Sequence, residues 1–458
     1  MTGAPALRRV LGLWDLVLYG IMVIMPIAPI PLFGVAQVLS RGHAVTTILI
    51  AMCAMMLTAV SYGRMASLYP LAGSAYTYVG RGLNAHLGFL AGWAMFLDYL
   101  LIPLLCTIYG SLTIQRFLPE VPYPVLALVF AGAMTMLNLK GIRSTTRTNL
   151  LLLIAMSVVV GVFMVMAVRY LFVLQGWGGV FSSKPFYNPA TFEWRSTMTA
   201  TSLAALTYIG FDGVTTLAEE VKNPKRNVLI ATVLVCLITG ILGGMQVYLG
   251  QRVWPEFGNF PAVETAYMDI TRRVGGPLLF YAMAAILIIA NFGSGLSGQV
   301  GAARLLFGMG RDNVLPSRLF GHLDGKTCTP TYNIWAVGVV AFFGALLFNY
   351  EQAAETLNFG AFLAFMGVNL ATLRQFYLVR QIGRRRHLVS DAILPVVGFL
   401  FCFGIWLGLK TPAKVIGGAW LTAGVAYSAI KTRGFRTVSP RIEFTDDGDL
   451  CIPTDQQK

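Results

Sequence analysis

The chain has 458 residues, of which 56% are hydrophobic and only 12% are charged, and its mean hydropathy is +0.68. A soluble domain usually carries about twice that charged fraction, so the composition excludes an ordinary soluble protein and indicates one embedded in a membrane. The net charge of +14 could suggest a nucleic-acid partner. However, about 24 of the 34 Lys and Arg residues fall on one side of the predicted membrane segments. This positive-inside bias predicts that both termini are cytoplasmic and that no nucleic acid is bound.

Long apolar runs follow one another along almost the whole chain. Roughly twenty apolar residues cross a bilayer as a helix, and we find about twelve such runs. We number them spans 1 to 12, near residues 13–38, 44–66, 86–114, 122–139, 148–172, 197–218, 228–251, 277–303, 331–348, 354–379, 392–409 and 413–431. Continuous runs of this length are typical of helices rather than of barrel strands. We therefore predict an all-α polytopic protein of the cytoplasmic (inner) membrane.

Spans 1 and 6 are both interrupted near their middles. Span 1 contains Met25-Pro26-Ile27-Ala28-Pro29-Ile30-Pro31, and span 6 contains Tyr208-Ile209-Gly210-Phe211-Asp212-Gly213. A broken membrane helix frees backbone N–H and C=O groups, which persist only where protein buries them or where they face a polar cavity. Two such breaks at matching places in two halves point to the binding site of a transporter.

The matching breaks also predict how the chain is organised. We expect one transmembrane domain over 1–431, with inverted repeats at 13–172 and 197–379 and peripheral helices over 392–431. The remaining residues, 432–458, are expected to form a cytoplasmic tail.

Acidic residues inside membrane spans are expensive and are functional candidates by default. Asp98 lies in the middle of span 3, and three interpretations remain open: contact with substrate or ion, a structural partner for broken backbone, or a position nearer the lipid boundary. Asp212 lies in the break of span 6. It is either a site or gating residue or the N-cap of the following half-helix, since Asp is favoured at that position.

Other polar residues support weaker hypotheses. Glu219 and Glu220 are expected to anchor the cytoplasmic end of span 6 against Lys222, Lys225 or Arg226, as part of a gate. Ser294 and Ser297 in span 8 either permit close helix packing or provide oxygen ligands to a coupling Na⁺. The sequence contains no P-loop, GxSxG or HExxH motif, and its histidines lie at span ends, so neither an enzyme nor a metal site is expected.

Four stretches resemble the amino acid–polyamine–organocation permeases. The longest is GFDGVTTLAEEVKNPKRN at 210–227, and the others are PLAGSAYTY at 70–78, WAMFLDY at 93–99 and MGRDNVLP at 309–316. Together they cover the chain in order from about residue 13 to residue 377. Among members of the family, the bacterial putrescine-importer-like permeases and amino acid permeases look most similar.

The resemblance implies a LeuT-type fold of two inverted five-helix repeats plus two peripheral helices, with alternating access around a site between helices 1, 3, 6, 8 and 10. In amino acid permeases, a Gly-small-Gly run in helix 1 presents N–H groups to the substrate carboxylate. Here that run falls on Pro26-Ile27-Ala28, and proline has no N–H group. This departure favours an amine without a carboxylate. The N–H groups of Ile27, Ala28 and Ile30 leave an amino acid substrate open, and the helix 1 acid expected of a close putrescine-importer relative is absent near Leu32.

Taken together, these patterns predict a secondary active importer of small organic amines, either polyamines such as putrescine or amino acids. The alternatives are an amino acid exchanger and, less favoured, a channel or a transport-like sensor. We expect the amine to meet carbonyl groups at Tyr208, Ile209 and Gly210 and at the span 1 break. Asp98 or Asp212 is expected to supply negative charge, and Tyr99 or Phe211 to shield it. The candidate substrate-binding residues are Met25, Pro26, Ile27, Ala28, Asp98, Tyr99, Tyr208, Ile209, Gly210, Phe211 and Asp212. No cofactor is expected beyond a coupling H⁺ or Na⁺, and the sequence does not indicate the oligomeric state.

Overall fold

The computed structural model describes residues 9–70, 74–140, 146–311, 315–324, 329–379 and 386–436. Within these ranges the regular structure is helical, apart from one isolated β-bridge between Leu11 and Val221. The prediction of an all-α protein is therefore confirmed. Parts of two motifs, at 71–73 and 312–314, and residues 437–458 of the expected tail lie outside the described ranges.

The unbroken spans correspond to long helices. They are Ala44–Leu68, Ala85–Gln115, Tyr123–Leu139, Thr146–Gln175, Pro224–Val253, Ala266–Arg311, Thr331–Leu347, Tyr350–Leu373, Leu394–Gly408 and Thr411–Lys431. The π-helical segments Arg374–Leu378 and Val389–Ile393 extend spans 10 and 11. Short helices occupy the connections at Ser74–Gly82, Trp177–Val180, Val263–Thr265 and Ser317–Phe320. Among the described residues, 7 helices are long and apolar enough to cross a membrane, and further apolar helices are shorter, as expected of a multi-pass membrane protein.

Span 8 is longer than its hydropathy predicts. The sequence places its start near residue 277, whereas the helix runs over Ala266–Arg311 with a kink at Gly276 (φ 65°, ψ −161°). Glycine adopts this positive φ without a steric penalty, and the following Pro277 cannot donate the next helical hydrogen bond. The first turns carry Asp269, Arg272 and Arg273, so an apolar window does not detect them.

Span 1 is broken as predicted. Its first helix, Leu13–Ile24, ends at Met25, which has a φ of 70°, and the second helix begins only at Phe33 and continues to Leu39. A non-glycine residue with positive φ is uncommon and marks a strained turn. The three prolines of the intervening segment lack the N–H groups that an α-helix would need there.

Span 6 is also broken. Helix Trp194–Ala204 tightens into the 3₁₀ turn Ala205–Tyr208, and the chain then turns at Gly210, which has a φ of 113°. Beyond the break, the helix resumes only as the short pieces Gly213–Thr216 and Ala218–Glu220. Glycine is suited to this position because a side chain is rarely tolerated at that φ.

The spans pack as two groups. Spans 1, 2, 6 and 7 contact one another, and spans 3, 4, 8 and 9 contact one another. Span 10 lies against spans 2 and 3 and also contacts spans 11 and 12. Spans 1 and 2 thus pack with spans 6 and 7, and spans 3 and 4 pack with spans 8 and 9, which follow five positions later in each case. Inverted repeats produce this pairing, and the repeat boundaries at 13–172 and 197–379 stay a prediction.

Candidate functional site

The two broken segments lie directly against each other. A Cβ atom on Gly210 would lie 2.9 Å from Cγ1 of Val23, at the end of the first half of span 1. On the other side, the carbonyl oxygen of Glu220 accepts hydrogen bonds from the N–H groups of Val10 (2.9 Å) and Leu11 (3.0 Å). The Lys222 N–H donates to the carbonyl of Leu11 at 2.8 Å. The first half of span 1 and the second half of span 6 are therefore joined through their main chains.

Most polar groups of the span 1 break are satisfied within the protein. The N–H of Ala28 donates to the carbonyl of Met25 at 3.1 Å, and the N–H of Ile30 donates to the carbonyl of Ile27 at 2.9 Å. The carbonyl of Pro26 accepts a hydrogen bond from Nε2 of Gln246 in span 7 at 2.9 Å. Two of the three N–H groups that the sequence left for a substrate carboxylate are thus already engaged.

The span 6 break presents carbonyl groups. Tyr208 accepts a main-chain hydrogen bond from Phe211 at 3.2 Å, and Gly210 accepts one from Gly213 at 3.1 Å. Because a carbonyl oxygen has two lone pairs, each of these carbonyls retains an acceptor position. The side chain of Tyr208 is fully buried, and its hydroxyl donates to the carbonyl of Ile48 in span 2 at 2.9 Å. Tyr208 therefore offers the site its carbonyl rather than its ring.

Asp212 is 7% exposed, and its side chain does not cap the following helix. Instead, its Oδ2 atom accepts a hydrogen bond from the Ser74 hydroxyl at 3.3 Å. The main-chain N–H groups of Gly210 and Gly213 also lie near the carboxylate. The N-cap interpretation is therefore not observed, and the carboxylate connects the break to the short helix Ser74–Gly82.

Asp98 lies in the middle of span 3 and is 5% exposed, so the interpretation that placed it near lipid is excluded. Its neighbour Tyr99 rests against Gly301 of span 8. Among the described residues, the Oδ1 atom of Asp98 is buried without a hydrogen-bond partner. Asp212 is close enough to act on Asp98 electrostatically. Two buried carboxyl groups from different spans thus lie within electrostatic range of each other.

This pair of carboxyl groups has no buried cation beside it in the described part of the chain. Of the Lys and Arg side chains described there, only Arg64 is buried, and it forms an ion pair with Asp391. A buried charge is costly unless a partner compensates it. The site therefore has a deficit of positive charge that a cationic ligand or a proton could correct.

Aromatic side chains pack together near Asp212. Tyr62 makes edge-to-face contacts with Tyr78, Phe211 and Phe365 at centroid distances of 5.8, 5.4 and 5.8 Å. All four rings are fully buried, and Asp212 acts electrostatically on both tyrosines. Aromatic faces attract cations, so this cluster adds to the preference of the site for positive charge.

The predicted ion and gate residues lie elsewhere. Ser294 lies beside Cys106, whereas Ser297 is exposed and donates to the carbonyl of Gly293 in its own helix at 3.1 Å. Lys225 and Arg226 are exposed in the first turn of span 7, and Glu219 and Glu220 are half-buried at the end of span 6. Their coupling and gating roles stay predictions. The described residues contain no cluster of His, Cys, Asp and Glu that could hold a metal ion.

Sequence reasoning missed several residues around the breaks. Ser74 is separated from Asp212 by 138 positions, and Gln246 is separated from Pro26 by 220. Tyr62 and Tyr78 resemble ordinary packing aromatics in the sequence. The only earlier signal was the PLAGSAYTY motif, which contains both Ser74 and Tyr78 but does not indicate what they contact.

Comparison with known proteins supports the same class. Residues 11–429 match the family model described as amino acid permease. The low-affinity putrescine importer PlaP of Escherichia coli is 30% identical over 446 residues, covering 96% of this chain and 98% of the relative. The branched-chain amino acid permease BcaP of Bacillus subtilis is 25% identical over 94% of this chain and 95% of its own. The vacuolar cationic amino acid transporter 4 of Arabidopsis thaliana is 28% identical over 81% of this chain and 64% of its own.

These relatives are described as importers, permeases and transporters, which confirms the expectation of a membrane transport protein rather than an enzyme. The family model extends from the segment before span 1 to the end of span 12, so it includes both breaks and both buried carboxyl groups. The chain therefore belongs to the amino acid permease family, within the amino acid–polyamine–organocation superfamily.

Proposed function

We propose that this protein is a secondary active transporter that imports small organic amines, either polyamines such as putrescine or amino acids, by alternating access. The observation that carries the proposal is the pair of buried carboxyl groups of Asp98 and Asp212, which interact electrostatically and have no buried Lys or Arg beside them in the described residues. A protonated amine would supply the missing positive charge. It would also give the unpartnered Oδ1 of Asp98 a donor.

The polar groups of the breaks favour an amine that lacks a carboxylate. The span 6 break offers acceptors at Tyr208 and Gly210, whereas the N–H groups of Ala28 and Ile30 are engaged within span 1. An α-amino acid needs donors for its carboxylate, but a diamine needs only acceptors, aromatic faces and carboxylates. This chain matches both a putrescine importer and a branched-chain amino acid permease. Our preference for a diamine therefore rests on the geometry of the breaks.

Each residue then has a defined role. One ammonium group of the substrate binds between Asp98 and the free lone pairs of the Tyr208 and Gly210 carbonyls. Asp212 lies beside this position and adds negative charge, while Tyr99 and Phe211 exclude water from it. In a dry site, a charge-assisted hydrogen bond is stronger than one between neutral groups.

Alternating access requires the half-helices to move together. The main-chain hydrogen bonds among Val10, Leu11, Glu220 and Lys222 link the start of span 1 to the end of span 6, so these two ends form a single moving unit in our proposal. Spans 3, 4, 8 and 9, which pack as a separate group, provide the scaffold. The protein would operate in the cytoplasmic membrane with both termini inside.

The substrate class can be tested on detergent-purified protein. A ligand that binds only the folded state raises its apparent stability, by about 2.7 kcal/mol at a concentration 100 times Kd. We expect putrescine and spermidine to raise the melting temperature, and arginine, alanine and leucine to leave it unchanged. Stabilisation by amino acids alone would refute the diamine preference, and stabilisation by neither class would refute the proposed amine site.

Coupling is tested separately in membrane vesicles. Uptake of the stabilising amine is measured under an imposed pH gradient and then under an imposed Na⁺ gradient. Stimulation by the first indicates H⁺ symport, in which a carboxyl group carries the proton, and stimulation by the second indicates Na⁺ symport. Stimulation by neither gradient, together with uptake that depends on preloaded amine or amino acid, indicates an exchanger.

A further inference from the structure

A cavity lies away from the carboxyl pair, where the end of span 3 meets the kink of span 8. Its volume is about 400 Å³. The helix of span 3 ends at Gln115, and the kink of span 8 at Gly276 faces it. The lining residues are Gln115, Arg116, Phe117, Pro119, Arg272, Pro277, Phe280 and Tyr281.

The cavity carries an excess of positive charge. Of its two arginines, Arg116 forms an ion pair with Asp269, which does not itself line the cavity. Arg272 is exposed and lies over the ring of Phe280, 5.6 Å from its centroid, without an ion-pair contact among the described residues. Asp269 acts on Arg272 only at a distance. Glu120 is exposed on the adjoining loop but does not line the cavity.

The rest of the lining is largely aromatic and continues into an exposed apolar surface. Phe117 stacks on Tyr281 with ring centroids 5.6 Å apart and packs against Phe280 at 5.4 Å. Leu278, which follows the lining residue Pro277, is 82% exposed, and Tyr281, itself part of the lining, is 57% exposed. Such large apolar surfaces on a membrane protein face lipid chains, and tyrosine is enriched at the level of the headgroups.

The sequence of span 8 places this cavity at the membrane boundary. Arg272 and Arg273 precede the kink, and an unbroken apolar run begins directly after Pro277. This change from cationic to apolar residues marks the boundary between headgroups and hydrocarbon. The cavity therefore lies at this boundary, with Arg272 on its headgroup side and Leu278 on the hydrocarbon side.

We propose that this cavity binds the phosphodiester headgroup of an anionic phospholipid. The guanidinium of Arg272 donates to the phosphate oxygens, because a planar donor fork matches phosphate geometry. The acyl chains follow the exposed surface of Leu278 and Tyr281. The continuity of a cationic cavity with a lipid-facing surface favours a phospholipid over free phosphate. This inference does not depend on the identity of the transported amine.

The chain provides a matched control for the test. Arg273 is adjacent and equally charged, but it lies over Trp254 at 5.2 Å and donates to the Tyr170 hydroxyl at 3.0 Å, outside the cavity. Binding of phosphatidylglycerol to detergent-purified protein is measured by native mass spectrometry for the wild type and for Arg272→Ala, Arg272→Lys and Arg273→Ala. Loss of a charge-assisted hydrogen bond predicts about a tenfold weaker affinity in Arg272→Ala. A smaller loss is expected in Arg272→Lys and little change in Arg273→Ala.

Three results would overturn the proposal. Equal phosphatidylglycerol binding by Arg272→Ala and Arg273→Ala would show that Arg272 does not recognise the headgroup. Equal binding of phosphatidylcholine and phosphatidylglycerol by the wild type would show that the site does not select anionic lipid. Competition by millimolar inorganic phosphate as effective as that by the lipid would show that the cavity takes free phosphate. Monodisperse elution of each variant establishes that it is folded.

Discussion

The buried carboxyl pair gives the sharpest prediction, through the substitution Asp98→Asn. The change keeps the size of the side chain but removes one negative charge from a position where Asp98 is 5% exposed and lies within electrostatic reach of Asp212. If Asp98 holds the substrate ammonium, binding must weaken. If Asp98 is instead a structural partner of the broken backbone, the folded protein itself must become less stable.

The expected loss follows from the charge interaction. Two unit charges about 5 Å apart at an effective dielectric constant of about 20 interact with about 3 kcal/mol. The asparagine amide oxygen still accepts a hydrogen bond, which recovers about 1 kcal/mol. A net loss of about 2 kcal/mol corresponds to roughly thirtyfold weaker binding. Without substrate, the variant should be no less stable than the wild type, because the substitution removes repulsion between Asp98 and Asp212.

Two measurements separate the roles. Uptake of radiolabelled putrescine in vesicles is compared for the wild type, for Asp98→Asn and for Glu219→Gln, a predicted gate residue at the end of span 6 whose substitution should weaken uptake less. Melting of each purified protein is followed with and without putrescine. We expect Asp98→Asn to lose uptake and ligand-induced stabilisation while its ligand-free melting temperature is maintained. Near-wild-type uptake by both variants at normal expression would refute the reasoning, as would a large fall in ligand-free stability for Asp98→Asn.

Three further predictions test the packing around the site. Gln246→Leu should reduce uptake and cost about 1–3 kcal/mol of stability, because it removes the donor to the Pro26 carbonyl. Unchanged uptake would show that this hydrogen bond does not shape the span 1 break. Arg64→Met should lower the free energy of unfolding by about 3–5 kcal/mol, because it removes the cation that pairs with the buried carboxylate of Asp391. The double variant Arg64→Met/Asp391→Leu should recover most of the lost stability. No recovery would contradict the assignment of this loss to the Arg64–Asp391 ion pair. Gly360→Ala should impair folding, because its Cβ would collide with the carbonyl of Ala94 in span 3. Gly161→Ala should not, because a Cβ at that position meets nothing within 4 Å. Equal melting temperatures for the two variants would refute the close packing of Gly360 against Ala94.

The membrane architecture was largely predictable because hydropathy and helix breakers are local properties. The runs of apolar residues predicted the helices, and Pro26, Pro29 and Pro31 predicted the break in span 1 because proline cannot donate a helical hydrogen bond. The prediction was less accurate for span 8. Its first turns contain arginines and an aspartate, and the helix begins at Ala266 rather than near residue 277.

The candidate site was predictable only in part. Asp98 and Asp212 were identifiable because a carboxyl group inside a membrane span is rare. The partners of the site, such as Ser74 and Gln246, were not identifiable, because polar residues at span ends and in long helices are common. The sequence also could not distinguish the two roles considered for Asp212, a site or gating residue and the N-cap of the next half-helix. Both roles require an aspartate at the same position.

The sequence by itself determined that this chain is a helical membrane transporter with two broken spans, because these features depend on the composition and order of neighbouring residues. Only the tertiary structure decided that the breaks adjoin, that Asp98 and Asp212 act on each other, and that the Ala28 and Ile30 N–H groups are already engaged. These facts depend on which faces of distant helices meet. The sequence of a helix does not specify which neighbouring helix each of its faces will meet.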